Sequence, residues 1–175
     1  MKPIYRFIPI LVLAIILGSC GYHNPNVYYG PAKSIYITDW KNRTNELSIG
    51  SRIYRSLIKW YQKAGSISVV RQKSGADLIL AGEIISIDLP SLSYGVNNTA
   101  TEVKARLRVR YIVKEISTNK IIIEEPDETW SESYLLGRNS TQAIDNEDEA
   151  IDKTIENLSQ KIYRATISGI PKLEK

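Results

Sequence analysis

The residues with the clearest chemical potential are four neighbours near the N-terminus: Leu17, Gly18, Ser19 and Cys20. The signal peptidase that processes lipoproteins requires a branched apolar residue, two small residues and then a cysteine whose thiol carries diacylglycerol. Cys20 is the only cysteine of the chain, and an odd cysteine in an exported protein otherwise lacks an explanation. The sequence therefore predicts cleavage after Ser19 and acylation of Cys20, with palmitate or a similar amide-linked chain completing the anchor.

The segment before this motif is typical of an export signal. Lys2 and Arg6 form a short positive region, and an apolar run follows up to Leu17. That run is shorter than the roughly 20 apolar residues that a membrane-spanning helix needs. An ordinary secretory signal with a stray free thiol is the alternative, and it is disfavoured because such a signal has a small residue where Leu17 stands. Gly21, rather than Asp, after the acylated cysteine favours sorting to the periplasmic face of the outer membrane.

The chain that remains after removal of residues 1–19 has the size of one domain. Loss of Lys2 and Arg6 with the signal lowers the formal charge from +4 to +2, so bulk charge does not identify a partner. Residues 20–31 contain Asn, Gly and Pro without periodicity, which predicts a lipidated tether. We therefore predict a single α+β domain over residues 32–170, followed by a short tail over residues 171–175.

Hydrophobic periodicity predicts the elements of this domain. Apolar residues at helical spacing predict helices over Glu46–Ala64 and Asp145–Ile167. Strand patterns occupy Ser34–Thr38, Ile67–Val70, Ala76–Asp88, Thr101–Ile116 and Lys120–Leu135. Pro126 and Asp127 interrupt the last of these, which predicts a bulge or an edge strand. We summarise the order as β-α-β-β-β-α and predict a two-layer α+β sandwich, with both helices on one face of a mixed, mostly antiparallel sheet.

The most distinctive charge pattern lies on the strand predicted over Thr101–Ile116. Lys104, Arg106, Arg108 and Arg110 alternate with apolar residues, and a period of two puts the cations on one sheet face. Since the helices must cover the apolar face, the cations should lie on the uncovered one. Because adjacent like charges repel, two interpretations stay open: an anion-binding face for a phosphorylated glycolipid or an acidic protein wall, or a solvated surface offset by nearby acids such as Glu83, Asp88, Glu124, Glu128 and Glu132.

No other residues form a pattern that predicts catalysis or metal binding. His23, the only histidine, lies in the predicted tether, where a general base or metal ligand would lack a rigid partner. The acidic run that begins at Asp145 lacks the central glycine of a calcium loop and suits the positive end of a helix dipole. We therefore predict a protein that is not an enzyme and that needs no metal and no cofactor. Nucleic acid is a poor partner for a protein outside the inner membrane.

Taken together, the motifs resemble those of the lipopolysaccharide-assembly lipoprotein family, LptE. The resemblance covers nearly all of the mature chain and depends on the order and spacing of several short motifs. These are Cys20 to His23, Lys33 to Ile37 followed by Asn42 to Thr44, Ala76 to Leu78 running on to Gly82 and Ile84, Ala100 to Glu102, and the turn Thr118 to Lys120.

The resemblance implies a lipoprotein that sits inside the large outer-membrane β-barrel LptD, assists its assembly and helps to deliver lipopolysaccharide to the outer leaflet. In the family, basic residues near the third-to-fourth strand connection and before the last helix bind lipopolysaccharide. This chain has Gly95 to Asn98 in that connection, and Ile144 and Asp145 near the helix. Lys104 to Arg110, or Arg138, are the cations that could substitute.

Other classes of lipoprotein remain as alternatives. One is an activator that reaches the cell wall and stimulates a synthase, and another is a small secretion-pore lipoprotein with a similar order of strands and helices. A long tether would favour the activator, whereas residues 20–31 are few. Partners identified from the outer membrane would distinguish these alternatives from a barrel plug.

Overall fold

The computed structural model describes residues 27–28, 30–94, 100–136 and 139–170. The helices are α1, Ile49–Ala64, and α2, Ser140–Gly169. The strands are β1, Lys33–Ile37; β2, Lys41–Asn42; β3, Ile67–Val70; β4, Leu78–Asp88; β5, Ser91–Tyr94; β6, Ala100–Glu115; and β7, Ile121–Leu135. Two helices and a mixed sheet confirm the predicted α+β class, with more strands than the order β-α-β-β-β-α contains.

The sheet is mixed and has β4 at its centre, with β6 between β4 and the edge strand β7. Its strand order is β3-β1-β4-β6-β5, while β2 pairs with β4 and β7 pairs with β6. β1 runs parallel to β3 and to β4, as a strand-helix-strand crossover requires. β4, β5 and β7 each pair antiparallel with β6. β3 and β7 are therefore the two edge strands of the sheet.

The helix boundaries follow from apolar spacing and capping. α1 buries Ile49, Ile53, Leu57 and Tyr61, one residue per turn, and ends where Gly65 adopts a φ of 66°, a left-handed conformation that glycine accepts without strain. α2 begins before the predicted Asp145. The side chain of Asn139 accepts a hydrogen bond from the backbone N–H of Gln142 at 2.9 Å and so caps the helix from position 140.

Both helices pack on one sheet face and on each other. The hydroxyl of Tyr61 on α1 donates to Thr166 on α2 at 2.9 Å, and the Tyr61 and Tyr163 rings meet edge-to-face, with centroids 5.2 Å apart. On the strands beneath, Trp40 lies over Gly82 so closely that an added Cβ would collide with its ring. Tyr28, within the predicted tether, is also buried in the core, with 8% of its surface exposed.

Two departures from the predicted elements concern short strands. β2 was not predicted at all, and β5 occupies Ser91–Tyr94, between the predicted strands Ala76–Asp88 and Thr101–Ile116, where no strand was predicted. The predicted irregularity at Pro126 and Asp127 is confirmed: β6 and β7 change register between the pairs Val109–Glu128 and Tyr111–Glu125. Among the described residues, no helix is both long and apolar enough to cross a membrane.

Candidate functional site

The alternation predicted for β6 is present along the strand. Its odd-numbered residues from Val103 to Val113 are buried beneath the helices. Lys104, Arg106, Arg108 and Arg110 point the other way, and the three arginines are exposed. We call this second side, which carries the four cations, the uncovered face. The structure thus brings all four predicted site residues together on one surface.

Arg108 is paired with a carboxylate. Its Nε and Nη2 donate to the two carboxylate oxygens of Asp127, each at 2.6 Å, the fork geometry in which Arg binds carboxylates most strongly. Asp127 lies in the β7 bulge, two residues before Thr129, the residue opposite Arg108. Hydrogen bonding from Arg108 holds the pKa of Asp127 below its usual range and raises the pKa of Arg108. Asp127 was not among the acids expected to offset the cations.

Arg110 belongs to a cluster centred on Glu83 of β4. Glu83 is only 7% exposed, and its carboxylate accepts hydrogen bonds from Arg43 and from Arg110. Lys41 of β2 adds a third cation, with its Nζ 3.9 Å from Glu83 Oε1. The hydrogen bond from Arg43, followed by that from Arg110, lowers the pKa of Glu83.

The Glu83 cluster is balanced in charge rather than cationic. A cavity of about 420 Å³ opens beside it and is lined by Lys41, Glu83 and Arg110 together with Glu124 and Glu125. Three carboxylates therefore stand against the cations of this region. An incoming anion would meet acidic groups here, so the cluster is better suited to hold β2, β4 and β6 together than to bind a phosphate.

Lys104 and Arg106 differ from the other two cations. In the part of the chain that the structure describes, neither forms an ion pair with a carboxylate. Their β7 neighbours are Ser133 and Ser131, whose side chains offer neutral hydroxyls. Asp88, opposite Arg106 on β4, accepts a hydrogen bond from Ser86 at 3.0 Å. At this end of the uncovered face Lys104 and Arg106 are therefore not held in ion pairs, although Asp88 and Glu102 lie nearby on the same face.

Two of the acids expected to offset the cations lie on the other side of the sheet. Glu128 accepts from Lys161 of α2 at 2.7 Å. Glu132 accepts from Asn157 of α2 at 2.8 Å and lies 3.5 Å from Lys153. The bulge explains this placement, because it shifts the residues after Pro126 relative to β6.

Such a surface can bind anions but offers no chemistry of its own. Ammonium, guanidinium and hydroxyl groups donate hydrogen bonds to phosphate or carboxylate oxygens. Within residues 27–28, 30–94, 100–136 and 139–170, no group of three His, Cys, Asp or Glu side chains could hold a metal ion.

Several sequence predictions fall elsewhere. Cys20, His23, Gly95 to Asn98 and Arg138 lie outside the described residues. Ile144 and Asp145 lie inside the first turns of α2 rather than before it. Arg43 and Lys41 were missed as members of the charge network because a two-residue strand has too short a pattern to detect. The sequence signal that could have found them is the spacing of Lys41 and Arg43 on either side of Asn42, which in a strand puts both side chains on one face.

Comparisons with known proteins find one matching family and several solved structures with a similar fold. Residues 32–166 match the model of a family described as LptE, lipopolysaccharide-assembly. A Xanthomonas campestris crystal structure is 9% identical, with a TM-score of 0.61 over 82% of this chain and 89% of that chain. Rare lipoprotein B from Shewanella oneidensis is 13% identical, with a TM-score of 0.55 over 81% and 99%. An uncharacterised lipoprotein B from Nitrosomonas europaea is 19% identical, with a TM-score of 0.53 over 77% and 81%.

These identities are low, so the likeness to the solved structures concerns the fold alone. No curated protein sequence matches this chain.

Proposed function

Because the chain belongs to the LptE family of lipopolysaccharide-assembly proteins, we propose that it is a non-enzymatic lipoprotein of the outer membrane that plugs an LptD-type β-barrel. In this role it assists assembly of the barrel and helps to deliver lipopolysaccharide to the outer leaflet. The family match over residues 32–166 is the observation that carries the proposal. Residues 1–19 would be the cleaved signal and Cys20 the acylated residue.

The uncovered face supports the same role. Lys104 and Arg106 have no carboxylate partner among the described residues, and two β7 hydroxyls adjoin them. An acidic patch of the barrel wall, or a phosphate of lipopolysaccharide, would supply a hydrogen-bonded anionic partner for these two side chains. Arg108 and Arg110 contribute less to binding, since Asp127 and Glu83 already neutralise them.

Depletion of the protein from cells tests this function. We expect a fall in folded barrel, measured by its heat-modifiable electrophoretic mobility, and a fall in lipopolysaccharide at the cell surface. The wild-type gene should restore both, and a gene encoding Cys20→Ser should restore neither fully. Unchanged barrel and unchanged surface lipopolysaccharide after depletion would refute the proposal.

A further inference from the structure

One segment of the chain, separate from the uncovered face, carries an excess of positive charge. From Leu47 to Ala76 it has six cations and no acidic residue, although the whole chain has a formal charge of only +4. The segment forms α1, β3 and the turn that follows β3. A surface that carries charge of one sign attracts partners of the opposite charge.

We call the five exposed cations of this segment, three on α1 and two in the turn after β3, the basic surface. All five are exposed, and within the described ranges none forms an ion pair. Three of them recur every fourth residue along α1 and so share one ridge of the helix. The basic surface consists of Arg55, Lys59, Lys63, Arg71 and Lys73.

The sixth cation of the segment, Arg52, is paired with acidic residues of α2. Arg52 turns towards α2, where its guanidinium lies 3.1 Å from a carboxylate oxygen of Asp148 and 2.8 Å from one of Asp152. The two acids that α2 directs at α1 are therefore already engaged by Arg52. The rest of the α1 ridge is left without such partners.

An aromatic ring accompanies the basic surface. Lys63 Nζ lies 5.3 Å from the centroid of the half-buried Trp60 ring. Tryptophan beside lysine on a helix face is characteristic of segments that lie at the headgroup level of a membrane. The Trp60 ring packs partly against the core, and together with the nearby lipid anchor the pairing suits a lipid surface as the counterpart.

The basic surface also lies near the point at which the chain enters the fold. α1 ends before Gly65, and Ile67 of β3 then pairs with Lys33, the first residue of β1. Cys20 precedes Lys33 by thirteen residues, which span at most about 45 Å. An anchor at Cys20 would therefore keep Lys33, and with it the C-terminal end of α1, within about 45 Å of the acylated residue.

We infer that, in the anchored protein before it engages the barrel, the basic surface docks on the anionic phospholipid headgroups of the leaflet that holds the acyl chains. This inference rests on acylation of Cys20, which is part of the proposed function. A basic patch next to a lipid anchor is a second attachment signal. Because α1 covers the opposite side of the sheet, this docking turns the uncovered face away from the membrane and towards a partner.

The inference can be tested on the acylated full chain in vesicles. Acylation leaves no free thiol, since Cys20 is the only cysteine, so Gln62→Cys, at an exposed position of α1, introduces a unique site for an environment-sensitive fluorophore. Vesicles of phosphatidylcholine with phosphatidylglycerol should shift its emission to the blue, and vesicles of phosphatidylcholine alone should not. High salt should reverse the shift.

Charge removal then identifies the face that docks. The double variant Lys59→Gln and Lys63→Gln should weaken docking about fivefold for each lysine, with helical content unchanged because Lys and Gln have similar helix propensities. The matched control Lys104→Gln and Arg106→Gln removes the same charge from the uncovered face and should leave the α1 signal unchanged.

Three results would overturn the inference: an equal shift in neutral vesicles, no loss in the α1 variant, or loss only in the control. Recovery of the barrel from cells that express the α1 variant is measured in parallel. If that variant loses the barrel while its docking on vesicles is intact, the basic surface meets the barrel wall and the inference is wrong. Intact mass without acyl chains would instead refute the proposed anchor.

Discussion

Neutralising the two unpaired cations of the uncovered face separates binding from folding. In the double variant Lys104→Gln and Arg106→Gln, no ion pair among the described residues is lost, because neither cation has a carboxylate partner there. Surface substitutions of this kind usually change the free energy of unfolding by no more than about 0.5 kcal/mol. The thermal unfolding midpoint should therefore stay close to that of the wild type.

The effect on binding should be much larger. Each charge-assisted hydrogen bond to a phosphate or carboxylate contributes about 1.5–3 kcal/mol, so loss of one bond predicts a roughly tenfold to hundredfold weaker complex. The loss should shrink at high salt, because ions screen exposed charges beyond about 10 Å at 0.1 M. Removal of both bonds should weaken binding more than removal of either one.

A matched control uses the paired arginine. Arg108→Gln with Asp127→Asn removes one cation together with its own counter-ion, so the net charge of the face is unchanged. Binding of both double variants to purified barrel and to lipopolysaccharide is measured beside their unfolding midpoints. The reasoning is refuted if Lys104→Gln and Arg106→Gln leave both affinities at the wild-type value, or if the control weakens binding as much.

Three further predictions concern the anchor, the core and pH. Cys20→Ser should abolish acylation and leave a longer precursor, and intact mass of the wild type without added acyl chains would contradict the anchor. Ile155→Asp, at a 2% exposed position, should unfold the domain, because an unpaired buried carboxylate costs several kcal/mol against a total free energy of unfolding of roughly 5–15 kcal/mol. Glu156→Lys, at the exposed neighbouring position, should be tolerated. Equal shifts of the thermal unfolding midpoint in both variants would refute this helix orientation. Since its partners lower the pKa of Glu83 below the usual 4.5, its ionised form stabilises the fold above that value and the contribution disappears as pH falls through the folded pKa. Glu83→Gln should therefore weaken the pH dependence of the unfolding midpoint below pH 4.5, and an unchanged dependence would argue against this role.

The sequence predicted the elements whose patterns are long. The period of two along β6 is sustained from Val103 to Val113, so both its buried side and its cationic side could be assigned before the fold was known. α1 and β3 were placed by apolar spacing and by the stop at Gly65. The proline in β7 marked a break in register that the structure contains.

Features that depend on contacts between distant residues could not be predicted. β2 has only two residues, and the two apolar residues of β5 are both exposed. The equally short β3 was recognised by its β-branched residues, which follow directly after the helix stop at Gly65. The N-terminal start of α2 depends on one side-chain cap at Asn139.

The charge pairs were also beyond the sequence pattern. The bulge in β7 decides that Asp127, rather than Glu128, reaches Arg108. Burial of Glu83 beside Arg43 required knowledge that β2 lies parallel to β4. Four cations that look equivalent in the sequence therefore divide into two that form ion pairs with carboxylates and two that do not.

Purification of the native protein from outer membrane, with its partners identified by mass spectrometry, tests the central claim most directly. The account predicts that acylated protein is recovered with one large β-barrel as its main partner. Recovery of the protein without any barrel, or with a cell-wall synthase in its place, would contradict the account.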